Sequence, residues 1–344
     1  MSGLSNACYR VKITDQALKE SVKPNIFLYR KFECEIIDKK IEGTVFQAMS
    51  DQELGPKLYF QNEEYRIEGF FDGRPMTVWE LRNPKMASCA AKAFYDFHNK
   101  SGIAAAMETV SPLNKEKLGL DIAIKEWGPA VVEKIARIRS KLEKATISQK
   151  EKDELEMYCE WTSRVALFEG YVDFYSDLID REECVFSHND AQENNILIAI
   201  EDNTNLVLID YEYGFWNPLT YDLANYVNEY ICDNAYPRGT GVTYWHENEA
   251  TDQEVEYLVK EYFKCSKGDK SGDEIEQSWQ EEKDKWLLST KKNLLLNNYY
   301  WGIWSLMMIN EKEELDLSIF NWAFLKGRLE LIEKQIKWDI FKKE

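Results

Sequence analysis

The chain has 344 residues, a formal net charge of −18 and three histidines, and it is 44% hydrophobic and 30% charged. This composition is typical of a globular protein, and its acidity argues against a nucleic-acid or anionic-membrane partner. No apolar run reaches the roughly 18 residues of a membrane-inserted helix, and the N-terminus shows no secretory signal pattern. Seven scattered cysteines without a Cys-x-x-Cys pair favour a cytoplasmic location over a disulfide framework.

Residues 1–72 predict a small lobe of strands with one helix. Runs typical of strands lie at 25–33, 54–60 and 64–71. Apolar residues at helical spacing predict a helix over 39–52. The turn-rich sequence "FFDGRP" (70–75) is the candidate lobe boundary.

The remaining residues, 73–344, predict a larger lobe in which helices dominate. A helix opens after Pro84, and helical patterns return from about Tyr221 onward. Between them, a strand runs into a polar loop near residue 188, and two apolar runs, 195–200 and 205–210, predict a hairpin. The charged segment 264–285 predicts a solvated loop leading into a helix.

The loop "SHNDAQENN" (187–195) concentrates residues that handle protons and metal ions. Asp190 and Asn195 have the spacing of a kinase catalytic loop, in which Asp accepts the substrate's hydroxyl proton and Asn binds Mg²⁺. Asp210 ends the second strand of the hairpin, where kinases place a further Mg²⁺ ligand. Turn and cap roles would explain an isolated Asp and Asn, but His188, the hairpin and Asp210 together favour a phosphotransfer site.

The chain lacks the Gly-rich, V-A-I-K and A-P-E motifs of protein kinases and instead resembles the choline/ethanolamine kinase family. The family pattern is HND-x-x-x-x-N, then I-D-[FY]-E-Y, then D-[IL]-[AG]-N with a Glu four residues later. It is matched here at His188–Asn195, Ile209–Tyr213, Asp222–Asn225 and Glu229. Further blocks resemble the family at Ser2–Asn6, Leu54–Tyr59, Arg66–Phe71 and Trp301–Trp304. The resemblance implies an α+β, two-lobed protein-kinase-like fold with an antiparallel sheet in the small lobe and a mainly helical large lobe.

The resemblance also implies the cofactors ATP and Mg²⁺ and a role for each matching residue. Asp190 is the expected catalytic base, Asn195 and Asp210 are expected Mg²⁺ ligands, and Glu212 is expected to support the metal or the loop. Arg30 is expected on the phosphates, paired with Glu42, although Lys31 is adjacent and only one of the two can face inward. The other expected ATP contacts are the phosphate loop Gly3, Leu4, Ser5 and Asn6, the adenine hinge Glu68, Gly69 and Phe70, and Gln192.

The same resemblance implies an aromatic pocket with one carboxylate. Its expected members are Tyr213, Glu229, Trp301, Trp304 and Trp322. Trp301 and Trp304 share a helix face, which core packing would explain equally. A quaternary ammonium, however, has no N–H to donate and is held best by aromatic faces.

The expected reaction is therefore that of a choline kinase, ATP + choline → ADP + phosphocholine, in phosphatidylcholine biosynthesis. Ethanolamine kinase is the nearest alternative, because it shares nearly every motif. An aminoglycoside phosphotransferase and a catalytically inactive binding protein on a kinase scaffold are more distant alternatives. Homodimers are common in the family, but the sequence leaves the oligomeric state open.

Overall fold

The computed structural model of the protein describes residues 6–21, 26–32, 38–234, 241–311, 315, 317 and 322–341. Within these residues, no helix is long and apolar enough to cross a membrane. The six cysteines in this part of the chain are free thiols.

The N-terminal part of the chain forms an antiparallel sheet with the strand order β1-β2-β4-β3. Its strands are β1 (Asn6–Lys12), β2 (Ile26–Phe32), β3 (Leu58–Gln61) and β4 (Tyr65–Gly69), accompanied by helices α1 (Gln16–Ser21) and α2 (Lys39–Asp51). Helix α2 confirms the predicted helix. It begins after Asp38, whose carboxylate accepts hydrogen bonds from the backbone N–H groups of Lys40 and Ile41 at 3.0 and 3.1 Å.

Side-chain alternation along β2 and β4 places charged groups on the inner face of this sheet. Arg30, Arg66 and Glu68 are buried, whereas Tyr29 and Tyr65 contact each other on the opposite face with ring centroids 5.2 Å apart. Buried charges are stable only when they are paired, so the inner face requires carboxylate partners.

Short antiparallel strands carry the central loops. They are β5 (Gly73–Pro75), β6 (Cys184–Ser187), β7 (Ile196–Ala199), β8 (Leu206–Leu208) and β9 (Phe215–Pro218). Strands β5, β7 and β8 form one sheet, and β6 pairs with β9. The β7–β8 pair, with Ile196 opposite Leu208, confirms the predicted hairpin. The loop from β6 to β7 and the end of β8 therefore meet at one edge.

Helices make up most of the chain after β5. They are α3 (Val78–Leu81), α4 (Pro84–Asn99), α5 (Ile103–Met107), α6 (Gly119–Ile122), α7 (Gly128–Leu142), α8 (Gln149–Val165), α9 (Tyr171–Ser176), α10 (Tyr221–Asn228), α11 (Asp252–Ser266), α12 (Gly272–Met307) and α13 (Trp322–Gln335). The two-residue strands β10 (Cys232–Asp233) and β11 (Thr243–Tyr244) pair with each other. The solvated loop predicted within 264–285 is shorter than expected. Ser271 caps α12, and Trp279 in its third turn is fully buried.

Candidate active site

A buried histidine sets the shape of the loop between β6 and β7. The Nε2 of His188 lies 2.9 Å from the carbonyl oxygen of Ile209, which can only accept, so Nε2 carries the proton. The Nδ1 of His188 then accepts the backbone N–H of Asp190 at 3.3 Å. Burial lowers the pKa of His188, which keeps the ring neutral. His188 therefore ties the loop to the end of the hairpin and takes no part as a base.

Side chains from the first two turns of α10 form hydrogen bonds with the backbone of the same loop. Asp222 accepts the backbone N–H groups of His188 and Asn189 at 2.7 and 2.8 Å, and Asn225 accepts that of Ala191. Asn189 has a φ of 67°, a conformation that Asn tolerates better than most residues. Asp222 and Asn225 thus provide hydrogen-bond acceptors for the buried backbone N–H groups of the loop between β6 and β7.

His98, on α4, supports Asp222 and was not identified from the sequence. Its Nε2 lies 2.9 Å from the Asp222 carboxylate, and its Nδ1 lies 2.8 Å from the hydroxyl of Tyr262. Burial acts to raise the pKa of Asp222, but the hydrogen bond from His98 and the contacts with His188 lower it overall. Asp222 therefore stays ionised and keeps the loop fixed.

Asp190 lies at the centre of a group of carboxylates. Its Oδ2 accepts the side-chain amide of Asn195 at 2.7 Å and that of Gln192 at 3.5 Å. Its pKa is raised well above the usual range, first by burial and then by the negative charges of Glu229, Asp210 and Glu212. A cation bound here would relieve this repulsion, so the site favours a positively charged ligand.

The residues predicted to bind Mg²⁺ have suitable oxygen donors. Within the described part of the chain, no three His, Cys, Asp or Glu side chains form a cluster that could hold a metal ion by themselves. A Mg²⁺ site would therefore need the amide oxygen of Asn195, whose Nδ2 points to Asp190. Oδ1 of Asp210 accepts a hydrogen bond from Arg30 at 3.0 Å, and Oδ2 is a second carboxylate oxygen that a metal ion could use. Amide and carboxylate oxygens are the ligands that Mg²⁺ prefers.

The predicted pairing of Arg30 with Glu42 is wrong, because each of the two residues pairs with other side chains. Arg30 faces inward and Lys31 is exposed, which resolves the choice between them. Both oxygens of Glu42 bind Arg66 at 2.7 Å, whereas Arg30 binds Glu68 at 2.9 Å and Asp210 at 3.0 Å. The role of Arg66 was missed because the pairing of β4 with β2, which places it directly opposite Arg30, leaves no local sequence signal.

The predicted adenine hinge, Glu68 to Phe70, begins at one of these paired carboxylates. The Glu68 side chain is buried between the two arginines, so only its backbone remains for a ligand. The backbone N–H of Gly69 donates to the carbonyl of Lys57 at 2.7 Å, and the ring of Phe70 lies 4.5 Å from the guanidinium of Arg10. Gly3, Leu4 and Ser5 of the predicted phosphate loop lie outside the described residues, and only the backbone of Asn6 is described, at the start of β1.

Four rings form a cluster beside the carboxylates, which we call the ring cluster: Tyr213, Trp301, Trp304 and Phe324. Ring centroids are 5.1 Å apart for Tyr213 and Trp301, 5.2 Å for Trp301 and Trp304, and 6.1 Å for Trp304 and Phe324. Trp301 is buried, while Tyr213 and Trp304 are partly open to solvent. The side-chain amide of Asn189 donates to the backbone carbonyl of Tyr213 at 2.7 Å, which places the ring cluster next to the loop between β6 and β7. Burial, followed by the charges of Glu212 and Asp190, raises the pKa of Tyr213.

The position predicted for Trp322 is occupied by Phe324. Trp322 packs on Tyr158 of α8 with centroids 5.5 Å apart, whereas Phe324 contacts both Trp301 and Trp304. Two residues turn an α-helix by about 200°, so an alignment shifted by two residues selects the opposite face. The error is one of register along α13.

Glu229 is buried and engaged rather than free. One of its carboxylate oxygens binds Arg328, and the other accepts the side-chain amide of Asn234 at 3.2 Å. Arg328 also donates to Asn298 at 3.0 Å and lies 4.9 Å from the ring centroid of Phe324. Glu229 therefore supports the base of the ring cluster through Arg328, a residue that the sequence did not reveal.

Comparisons with known proteins identify the family of the chain. The protein-family model for choline/ethanolamine kinase matches residues 1–330 of the chain. A choline/ethanolamine kinase from Rattus norvegicus is 26% identical over 311 residues, which cover 88% of this chain and 71% of the relative.

Two solved structures share the fold. Choline kinase from Cryptosporidium parvum has 21% identity and a TM-score of 0.64, covering 98% of this chain and 87% of its own. Ethanolamine kinase from Plasmodium vivax has 19% identity and a TM-score of 0.62, covering 96% of this chain and 80% of its own. The predicted two-lobed, protein-kinase-like fold is confirmed, and the chain belongs to the choline/ethanolamine kinase family of ATP-dependent kinases.

Proposed function

We propose that the protein is a choline kinase, which phosphorylates the hydroxyl of choline with ATP to give phosphocholine for phosphatidylcholine synthesis. The observation that carries this proposal is the ring cluster beside Asp190. Tyr213 belongs to the ring cluster, and its backbone carbonyl accepts the side-chain amide of Asn189, the residue before Asp190, at 2.7 Å. A trimethylammonium group held by the rings would therefore lie near carboxylates that complement its charge.

Asp190 acts as the general base in this proposal. The choline oxygen attacks the γ-phosphorus of ATP, its proton passes to Asp190, and ADP leaves. Asn195 holds the Asp190 carboxylate in place at 2.7 Å. Cationic ligands bound near Asp210 and Glu212 would lower the pKa of Asp190 from its raised value, because they would offset the negative charges that contribute to this shift after burial.

The nucleotide is assigned to the cleft between a small lobe, 1–72, and a large lobe, 73–344. Asn195 and Asp210 would hold Mg²⁺ with support from Glu212, and Mg²⁺ bound there would neutralise the charge of the phosphate being transferred. Arg30 faces the phosphates from β2. The remaining assigned ATP contacts are Gly3, Leu4, Ser5, Asn6, Glu42 (through Arg66), Glu68, Gly69, Phe70 and Gln192.

Ethanolamine kinase is the alternative function, and the pairing of Glu229 argues against it. A primary ammonium needs hydrogen-bond acceptors, and both oxygens of Glu229 are engaged by Arg328 and Asn234. Aromatic faces attract a quaternary ammonium without such acceptors, by about 0.5–2 kcal/mol per contact. The ring cluster thus supplies contacts that suit a quaternary ammonium, while Glu229 is already used by Arg328 and Asn234.

Initial rates with choline and with ethanolamine, measured at matched concentrations in Mg·ATP, test the proposal. The expected result is a higher kcat/KM for choline, with phosphocholine identified as the product. A higher kcat/KM for ethanolamine would establish the alternative function.

A further inference from the structure

The inner face of the small-lobe sheet carries a chain of five alternating charges, which we call the ion-pair relay. It runs from Glu42 through Arg66, Glu68 and Arg30 to Asp210, and each link is a hydrogen-bonded ion pair of 2.7–3.0 Å. The first four residues are at most 6% exposed. Such a buried row is stable only while every charge has its partner.

The centre of the relay is one oxygen shared by two arginines. Oε1 of Glu68 accepts Nε of Arg30 and Nε of Arg66, both at 2.9 Å. The two guanidinium groups repel each other, and the outer carboxylates of Glu42 and Asp210 offset this repulsion. The position of Arg30 therefore depends on the pairing of Arg66 with Glu42, and the position of Arg66 depends on the pairing of Arg30 with Asp210.

Arg66 also keeps Glu42 away from Arg30. Arg30 and Arg66 lie at directly opposite positions of the paired strands β2 and β4, so Arg66 is the arginine next to Arg30 on the inner face. Arg66 occupies both oxygens of Glu42. With Arg66 in place, Arg30 has Glu68 and Asp210 as its described partners and points toward the end of the hairpin.

Arg66 itself is held on a fixed platform. Its guanidinium lies 3.8 Å from the ring centroid of Phe46 on α2 and 5.5 Å from that of Phe32 on β2. A planar guanidinium can stack and bind carboxylates in fixed directions at the same time, which a lysine ammonium cannot do. The geometry points to Arg66 as a positioning residue for ATP, which acts by holding Arg30 at the phosphate side of the cleft.

This inference rests on the proposed contact of Arg30 with the phosphates, and a double-mutant cycle separates the two. Arg66→Met should raise the KM for ATP about tenfold, a typical coupling between residues in contact, and leave the KM for choline within about twofold. The double variant Arg30→Met/Arg66→Met should be no worse than Arg30→Met alone, because Arg66 acts only through Arg30. Arg66→Lys keeps the charge but loses the planar guanidinium and its fixed donor directions. It should raise the KM for ATP less than Arg66→Met does.

Arg139→Met is the matched control, since Arg139 makes an ion pair with Glu156 in which both side chains are at least 41% exposed. It should change neither KM. Two results would contradict the inference and leave Arg66 with a structural role only. One is that the Arg30 and Arg66 substitutions raise the KM for ATP additively. The other is that Arg66→Met lowers the melting temperature and leaves the KM for ATP unchanged. If Arg66→Met does not fold, Arg66→Lys decides by the same criteria. An unchanged KM for ATP in Arg30→Met would overturn the role of Arg30 and, with it, the inference.

Discussion

Asn195 donates its side-chain amide to Asp190 twice, to the carboxylate at 2.7 Å and to the backbone carbonyl at 3.0 Å. One amide thus fixes both the backbone and the side chain of the proposed base. Because the nitrogen is used in this way, the amide oxygen is the atom that Asn195 can offer to a metal ion. The four-residue spacing in the sequence therefore has a direct structural purpose.

Replacing the proposed base should remove most of the catalysis. Asp190→Asn keeps the shape of the side chain but cannot take up the proton, so kcat should fall by ~10²–10⁴-fold. Nucleotide affinity, measured by calorimetry, should be largely retained. Turnover close to that of the unmodified protein would show that another group accepts the proton.

Removing Asp210 should weaken nucleotide binding more in Mg²⁺ than in excess chelator. Asp210→Ala should abolish turnover, and it should lose both a proposed metal ligand and the partner of Arg30 in Mg²⁺ but only the partner of Arg30 in chelator. Asp202→Ala, in the turn of the same hairpin, is the control and should leave both affinities unchanged. Equal Mg·ATP affinity in Asp210→Ala and the unmodified protein would exclude Asp210 as a ligand.

The two tryptophans that the sequence grouped together should respond differently. Trp304→Leu removes a partly open ring of the ring cluster, and losing a contact of ~1–2 kcal/mol should raise the KM for choline roughly 5- to 30-fold, with the KM for ATP unchanged. Trp322→Leu, which loses packing on Tyr158, should lower the melting temperature without this change. The reverse pattern would place Trp304 in the core and Trp322 in the substrate pocket.

Glu193 should make the protein less stable as the pH rises. Burial, and then the charge of Glu229, raises its pKa to about 8 from the model-compound value of 4.5. The folded state therefore binds a proton that the unfolded state has lost, and this stabilisation disappears as the pH rises from about 4.5 through about 8.

Glu193→Gln should abolish this pH dependence, since a neutral amide needs no proton. The variant should be more stable than the unmodified protein at pH 8.5, by on the order of 4 kcal/mol, and should differ from it by less than about 1 kcal/mol at pH 5. Denaturant unfolding at both pH values measures the difference, with the exposed Glu201→Gln as control. An equal effect at both pH values would contradict the raised pKa.

Local patterns predicted the parts of the site that are close in sequence. Asp190, Asn195 and Asp210 were identifiable because loop spacing and a hairpin bring them together over about twenty residues. The pairing of Arg66 with Glu42 and that of Glu229 with Arg328 were not, because the latter two lie 99 residues apart and any buried carboxylate could have taken either arginine. Phe324 was missed for a different reason, since the family resemblance selected Trp322, which lies two residues before Phe324 on α13.

The measurement that tests the central claim most directly is kcat/KM for a series of acceptors with zero to three N-methyl groups, from ethanolamine to choline. Each methyl removes an N–H and adds surface for the rings of Tyr213, Trp301, Trp304 and Phe324, so kcat/KM should rise at each step and be highest for choline. The rise should be reduced in Trp304→Leu. A value that is highest for ethanolamine and falls with each methyl would contradict the choline assignment and show that the pocket recognises N–H donors.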